Sequence, residues 1–131
     1  MKILIAPDSF KETLSAKEVC EGIESSFKKV FKNAIISKIP LADGGEGTVQ
    51  ALVDASNGSI IKAEVLNPLK KPIEAFYGIL GDKKTAVIEM ASASGLELLN
   101  ENEKNPLETT SYGFGQLINH ALNKGIKNFI K

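Results

Sequence analysis

The sequence contains no arginine and no tryptophan, and it has one cysteine and one histidine among 131 residues. A single cysteine, Cys20, cannot form a disulfide within the chain, which fits a reducing cytoplasm. His120 has no second histidine and no nearby cysteine, so we assign it a structural or surface role and not a metal-ligating one. No hydrophobic run approaches the roughly 20 residues that a transmembrane helix needs.

The charge balance gives no general attraction to nucleic acid or to a membrane. Formal net charge is zero, so neither partner is predicted. All sixteen basic residues are lysine, which acts as a point charge and lacks arginine's bidentate fork. An anion held by this chain must therefore be met by lysines, backbone N–H groups and helix N-termini.

Hydrophobic periodicity predicts an α/β fold. Strands are predicted at residues 2–6, 35–40 and 59–66, with a helix at 16–32 and a short helix at 49–56, closed by Asn57-Gly58, between them. This β-α-β-α-β order favours a parallel sheet with helices on its faces. The first helix has two alternative starts, because Ser9 with Glu12 and Ser15 with Glu18 both fit a capping box.

The composition changes at residues 67–72, where we place a domain boundary. Residues 73–80 and 85–90 are predicted to form a β-hairpin, which a simple doubly wound sheet would not contain. A helix should end at Lys124, and a new apolar strand opens at residues 128–130. Since domains seldom end within a buried strand, we expect this sequence to be part of a longer protein.

Two loops, Asp8-Ser9-Phe10-Lys11 and Asp43-Gly44-Gly45-Glu46-Gly47-Thr48, each follow a strand and lead into a helix. In open parallel sheets, ligands bind at such loops, and neighbouring strands would make the two loops neighbours. Glycines in the second loop could present N–H groups to an anion, beside a helix N-terminus. Asp43 could cap that helix or face a metal ion, and a tight turn with an Asp cap explains the loop equally well.

In the first loop, Lys11 is the natural partner for a phosphate or carboxylate, with Ser9 as a donor and Asp8 as a base or metal-side acid. A solvated turn in which Ser9 caps the helix is the simpler interpretation of these residues alone.

Two further clusters carry polar groups in unusual places. Glu89 lies in the apolar stretch "AVIEMA", where an unpaired carboxylate costs free energy, and Ser92 follows it. A strand-edge glutamate facing water is the alternative. Thr110 and Ser111 open the last helix in a hydroxyl-rich segment, where ordinary capping also accounts for them.

Taken together, four segments resemble the bacterial-type (type I) glycerate kinase family. They are "KILIAPDSFKETLSAKEV", "PLADGGEGTVQALV", "AFYGILGD" with "TAVIEMASASGLELL", and "NPLETTSYGFGQLI". The similarity runs in order from Lys2 to about Ile126 and is strongest in the combination of the two loops. It implies a Rossmann- or flavodoxin-like parallel sheet followed by part of a second, inserted α/β domain with the hairpin. On this basis we divide the chain into residues 1–68 and 69–131.

The resemblance also implies ATP-dependent phosphoryl transfer, with Mg²⁺, to a hydroxyl of D-glycerate, giving 2-phosphoglycerate. On that basis Asp8, Lys11 and Asp43 are catalytic candidates, and Asp43 is the candidate on the Mg²⁺ side. The candidates for substrate or phosphate binding are Ser9, Gly44, Gly45, Glu46, Gly47, Thr48, Glu89, Ser92, Thr110 and Ser111. We expect a cytoplasmic protein that has no membrane or nucleic-acid partner and that can form a homodimer.

Two alternatives stay open at this point. The chain could be a non-catalytic module that binds an anion or nucleotide, or a flavodoxin-like FMN or receiver module. The hairpin after residue 72 and the lack of an aromatic pair in the loops argue against the flavin-binding version.

Overall fold

Two compact units make up the chain. The computed structural model describes residues 1–10 and 13–131. Met1–Asp43 forms the first unit and Gly44–Lys131 forms the second. Within the described residues, no helix is both long enough and apolar enough to cross a membrane.

The first unit contains β1 (Lys2–Ile5), α1 (Ala16–Val30) and β2 (Ile35–Lys38). The two strands pair in parallel, as the sequence predicted. Backbone pairing continues beyond them, because the N–H of Leu41 donates to the carbonyl of Pro7 at 3.0 Å. The segments that leave the two strands therefore remain side by side.

Helix α1 begins at the second of its two predicted starts. The hydroxyl of Ser15 accepts from the Glu18 N–H at 3.3 Å, and the Glu18 carboxylate accepts from the Ser15 N–H at 2.8 Å. This reciprocal pair satisfies two N–H groups that a helix otherwise leaves without partners. Further along, Glu24 pairs with Lys38 of β2 and joins the helix to the sheet.

The second unit has a four-stranded sheet. Its elements are α2 (Thr48–Ser56), β3 (Ser59–Leu66), β4 (Pro72–Ile79), β5 (Thr85–Val87), α3 (Ala91–Ser94), α4 (Tyr112–Asn123) and β6 (Asn128–Ile130), with 3₁₀ turns at Leu96–Leu98 and Glu101–Glu103. The strand order is β3-β4-β5-β6. The first two pairings are antiparallel, and β6 pairs in parallel with β5.

Two hydrophobic clusters hold the second unit together. The larger cluster includes Tyr77, Ile88 and Leu117, which are all fully buried. The smaller one joins Val49 of α2 to Val87 of β5. Helices α2 and α4, which both begin at or next to candidate residues, are thus fixed to the sheet by their apolar faces.

The predicted α/β class, element order and hairpin are confirmed. The third strand is the exception, because β3 does not join the parallel pair. It pairs antiparallel with β4 from Ser59 opposite Ile79 to Leu66 opposite Pro72. The carboxamide oxygen of Asn67 accepts from the N–H groups of Leu69 and Lys71 and folds the chain back at this point.

The turn at residues 67–71 therefore joins two paired strands within the second unit, whereas the compact units divide between Asp43 and Gly44. The division of the whole protein at residues 68 and 69 stays a prediction.

Candidate functional site

In the first unit, the candidate residues follow the carboxyl ends of β1 and β2. The Asp8 carboxylate is exposed and accepts from the N–H of Ser9 at 2.6 Å. Asp43 is also exposed and ends the segment that runs alongside Pro7. The adjacency of Pro7–Asp8 to the start of the second loop is as expected for neighbouring parallel strands. Lys11 lies outside the described residues.

In the second unit, the glycine-rich loop turns sharply into α2. Gly44 and Gly47 have φ values of 102° and 87°, a left-handed conformation that a residue with a Cβ rarely adopts. Gly47 is the N-cap of α2 and has no side chain to accept from the first helical N–H groups. Gly45 and Glu46 complete the exposed part of the loop.

The first residue of α2 carries an unsatisfied polar atom. The hydroxyl oxygen of Thr48 is buried and has no hydrogen-bond partner in the described part of the chain. Since buried polar atoms in native proteins are nearly always paired, such an atom beside the glycine turn is a candidate ligand contact.

A distant residue, Glu89, caps the N-terminus of α2 in place of the N-cap side chain that Gly47 lacks. Glu89 is only 5% exposed, and its Oε2 accepts from the Val49 N–H at 3.1 Å. Burial raises the pKa of Glu89, and backbone hydrogen bonds from Val49 and Gly47 oppose that rise. The Glu89 carboxylate is thus buried inside the second unit. The alternative prediction, that Glu89 lies at a strand edge and faces water, is wrong.

Two of the hydroxyl candidates around α3 and α4, Ser92 and Thr110, accept hydrogen bonds from backbone N–H groups. Ser92 accepts from the N–H of Phe76 at 2.9 Å, at a point on β4 beyond its pairing with β5. The Thr110 hydroxyl accepts from the Tyr112 N–H at 3.1 Å, and Ser111 is the exposed N-cap of α4. Each hydroxyl retains a proton to donate, so these contacts leave a ligand role open.

Within the described residues, no three or more His, Cys, Asp or Glu side chains are placed to hold a metal ion. The lone histidine instead contacts the core, since its Nδ1 lies 3.1 Å from the Tyr77 hydroxyl. Cys20 is buried, and burial raises the pKa of its thiol. Both observations agree with the structural roles that the sequence predicted for these two residues.

A family model described as the glycerate kinase family matches residues 3–130. The chain belongs to the glycerate kinase family. It is 57% identical to a glycerate kinase of Haemophilus influenzae and 58% identical to one of Bacillus subtilis, in both cases over 99% of this chain. A glycerate 2-kinase of Escherichia coli is 52% identical over the same share.

A solved structure confirms the fold. The crystal structure of a putative glycerate kinase 2 from Salmonella typhimurium LT2 is similar to 98% of this chain, with a TM-score of 0.75 and 53% sequence identity. This chain covers 35% of that protein and 34% of each of the three curated relatives. It therefore spans about a third of the length of these relatives.

The sequence did not reveal which contacts hold the candidate residues in place. Glu89 contacts α2 across 40 residues of chain, and the side chain of Gln116 accepts from the Leu66 N–H at 2.8 Å across 50. Neither contact has a local sequence pattern. The only available signal was a carboxylate in an apolar stretch, which marked Glu89 but not its partner.

Proposed function

We propose that the protein containing this chain is an ATP-dependent glycerate kinase that phosphorylates D-glycerate to 2-phosphoglycerate. The observation that carries this proposal is the family match over residues 3–130, together with relatives named as glycerate kinases at more than 50% identity. The name of the Escherichia coli relative supports transfer to the 2-hydroxyl.

Such a reaction depends mostly on positioning and charge stabilisation. The substrate carboxylate and the phosphates need cations or N–H donors, and this chain has no arginine to offer. The glycine loop suits this need, because residues 44–47 are exposed and Gly44 and Gly47 turn the chain there with positive φ, a conformation found in anion-binding loops. We assign Gly44, Gly45, Glu46, Gly47 and Thr48 to this contact.

The first loop contains the charged candidates Asp8 and Lys11. We assign Lys11 as the clamp on a phosphate or on the substrate carboxylate. Asp8 is assigned as acceptor for the hydroxyl proton or as an acid on the metal side. Both assignments follow the sequence resemblance, and the exposed position of Asp8 beside Ser9 supports access to substrate.

Mg²⁺ would neutralise charge on the phosphates when bound. The described residues form no cluster of three His, Cys, Asp or Glu ligands, so phosphate oxygens and water would have to complete the coordination of Mg²⁺. Magnesium in nucleotide sites is commonly held by one or two carboxylates, with phosphate oxygens and water as the other ligands. Asp43, an exposed carboxylate after β2, is the residue that we assign to this role.

Ser9, Glu89, Ser92, Thr110 and Ser111 are proposed as further substrate-side residues. We also propose that the protein is cytoplasmic and that it can form a homodimer.

The test uses a chimera in which this chain replaces the matching segment of the Bacillus subtilis relative. Glycerate-dependent release of ADP measures activity, and phosphorus NMR of the product separates 2-phosphoglycerate from 3-phosphoglycerate. Lys11→Ala and Asp43→Asn are compared with Lys17→Ala and Asp54→Asn, which make the same changes at exposed helix positions. We expect a large loss of kcat/KM in the first pair and little change in the second. A near-normal kcat/KM would remove that residue from the site.

A further inference from the structure

Glu89 reaches the start of α2 because β5, which precedes it in the chain, packs against α2. Val87 of β5 lies in one cluster with Val49 of α2. Backbone pairing continues past the strand, since the Ile88 N–H donates to the Ile130 carbonyl at 3.0 Å. Two residues on in an extended chain, a side chain returns to the same face. Glu89 therefore follows Val87 on the side that α2 covers.

The charges around Glu89 do not favour a buried carboxylate. Among the described residues, no lysine forms an ion pair with it. Glu46 and Glu97 are its charged neighbours, and both are negative. The free energy of burying the group is offset only by the backbone N–H groups at the start of α2, where the helix dipole also favours an anion.

We propose that Glu89 is the positioning residue of the glycine loop. It binds the N–H groups of Gly47 and Val49 and so fixes the orientation in which the loop presents its remaining donors and the Thr48 hydroxyl. The inference rests on the proposed function only in that the loop must contact an anionic substrate.

This assignment changes the role of Glu89 from substrate contact to support. A carboxylate already occupies the Val49 N–H, so that N–H group is not the one that contacts a substrate anion. Gly47, the N-cap of α2, offers no side chain to accept from the first helical N–H groups. The contact from Glu89 takes the place of that side-chain cap.

The variant that tests this is Glu89→Gln, which keeps the size of the side chain and removes its charge. Glu97→Gln is the matched control, because it removes an equal charge from an exposed neighbour. In this chain, amide hydrogen exchange at Val49 should quicken about tenfold or more in Glu89→Gln, while thermal stability at pH 7 does not fall. In the chimera, kcat/KM should fall about 100-fold, mainly through kcat, because a small displacement of a binding loop impairs the transition state most. Glu97→Gln should change neither quantity.

Unchanged exchange at Val49, or an unchanged kcat in an active chimera, would overturn the assignment. An inactive wild-type chimera would count against the proposed function, and the exchange measurement would still decide the contact. If Glu89→Gln fails to fold, Glu89→Ala assayed with added acetate asks the same question. Recovery of activity by acetate supports the assignment, and no recovery contradicts it.

Discussion

At the scale of single residues, Glu89 should make stability depend on pH in an unusual direction. Burial raises its pKa in the folded state above the ordinary value of 4.5. Its contribution to stability is therefore complete below pH 4.5 and is lost as pH rises through the raised pKa. We expect Glu89→Gln to be as stable as the wild type at pH 4 and more stable at pH 7, measured as urea midpoints. A variant that is less stable at pH 7 would show that the ionised form is favoured.

Glu24 should behave in the opposite way. Hydrogen bonds with Lys28 and then Lys38 lower its pKa from 4.5 to about 2. The stability that it contributes is present above pH 4.5 and is lost as pH falls towards 2. Glu24→Gln should therefore lower the urea midpoint at pH 7 and leave it unchanged near pH 2. The shift should be small because both lysine partners are exposed to solvent, which weakens their pairing with Glu24.

Glu21→Gln is the control for that prediction, since it changes an exposed carboxylate on the same helix. An equal loss of stability in both variants would mean that helix charge, and not the pairing with Lys38, is responsible.

At the scale of secondary-structure elements, Gly113 determines how closely α4 approaches β3. A Cβ at this position would lie 1.9 Å from the carbonyl oxygen of Leu66, which is backbone and cannot move aside cheaply. Gly113→Ala should therefore destabilise the second unit by about 1–3 kcal/mol, although alanine is the better helix former. Denaturant unfolding measures the change.

Gly115 provides a control on the same helix. Nothing lies within 4 Å of a Cβ built there, so Gly115→Ala should stabilise the chain by about 1 kcal/mol. Equal effects from the two substitutions would show that the close approach to Leu66 has no energetic consequence.

The elements that the sequence predicted well are those with local signals. The capping pair at Ser15 and Glu18 marked the start of α1, and Asn57 at φ 54° ends α2 where it was expected. The partner of β3 was not predictable from the alternation of its side chains, because that pattern is the same for either neighbour. The contact between Glu89 and Val49 could not be predicted either, because the two residues are 40 positions apart and no local pattern links them.

At the scale of the whole molecule, the chain carries candidate residues from both loops but spans a third of its relatives. Phosphoryl transfer requires every charge-stabilising group to be held in place together. We therefore expect the 131-residue chain alone to show no glycerate-dependent release of ADP, whereas the chimera is active. Turnover by the isolated chain, retained after gel filtration and absent in Lys11→Ala, would contradict this.

The two units should differ in local stability. In the described part of the first unit, Ile5, Val19 and Cys20 are the buried core residues, whereas the second unit has a core around Tyr77 and Leu117. The first unit also exposes ten large hydrophobic side chains: Met1, Leu4, Phe10, Leu14, Phe27, Val30, Phe31, Ile35, Ile39 and Leu41.

An isolated two-stranded sheet is marginal, and parallel sheets are normally covered on both faces. Leu4 of β1 is 63% exposed and Ile35 of β2 is 65% exposed, so one face of this sheet is bare in the chain alone. Amide hydrogen exchange should therefore be faster at Leu4 than at Ala63 of β3, because local opening requires little apolar surface to be exposed. In the chimera, protection of β1 should rise towards that of β3. Equal protection of both strands in the isolated chain would contradict this prediction, because it would show that the first unit is stable without further covering of its sheet.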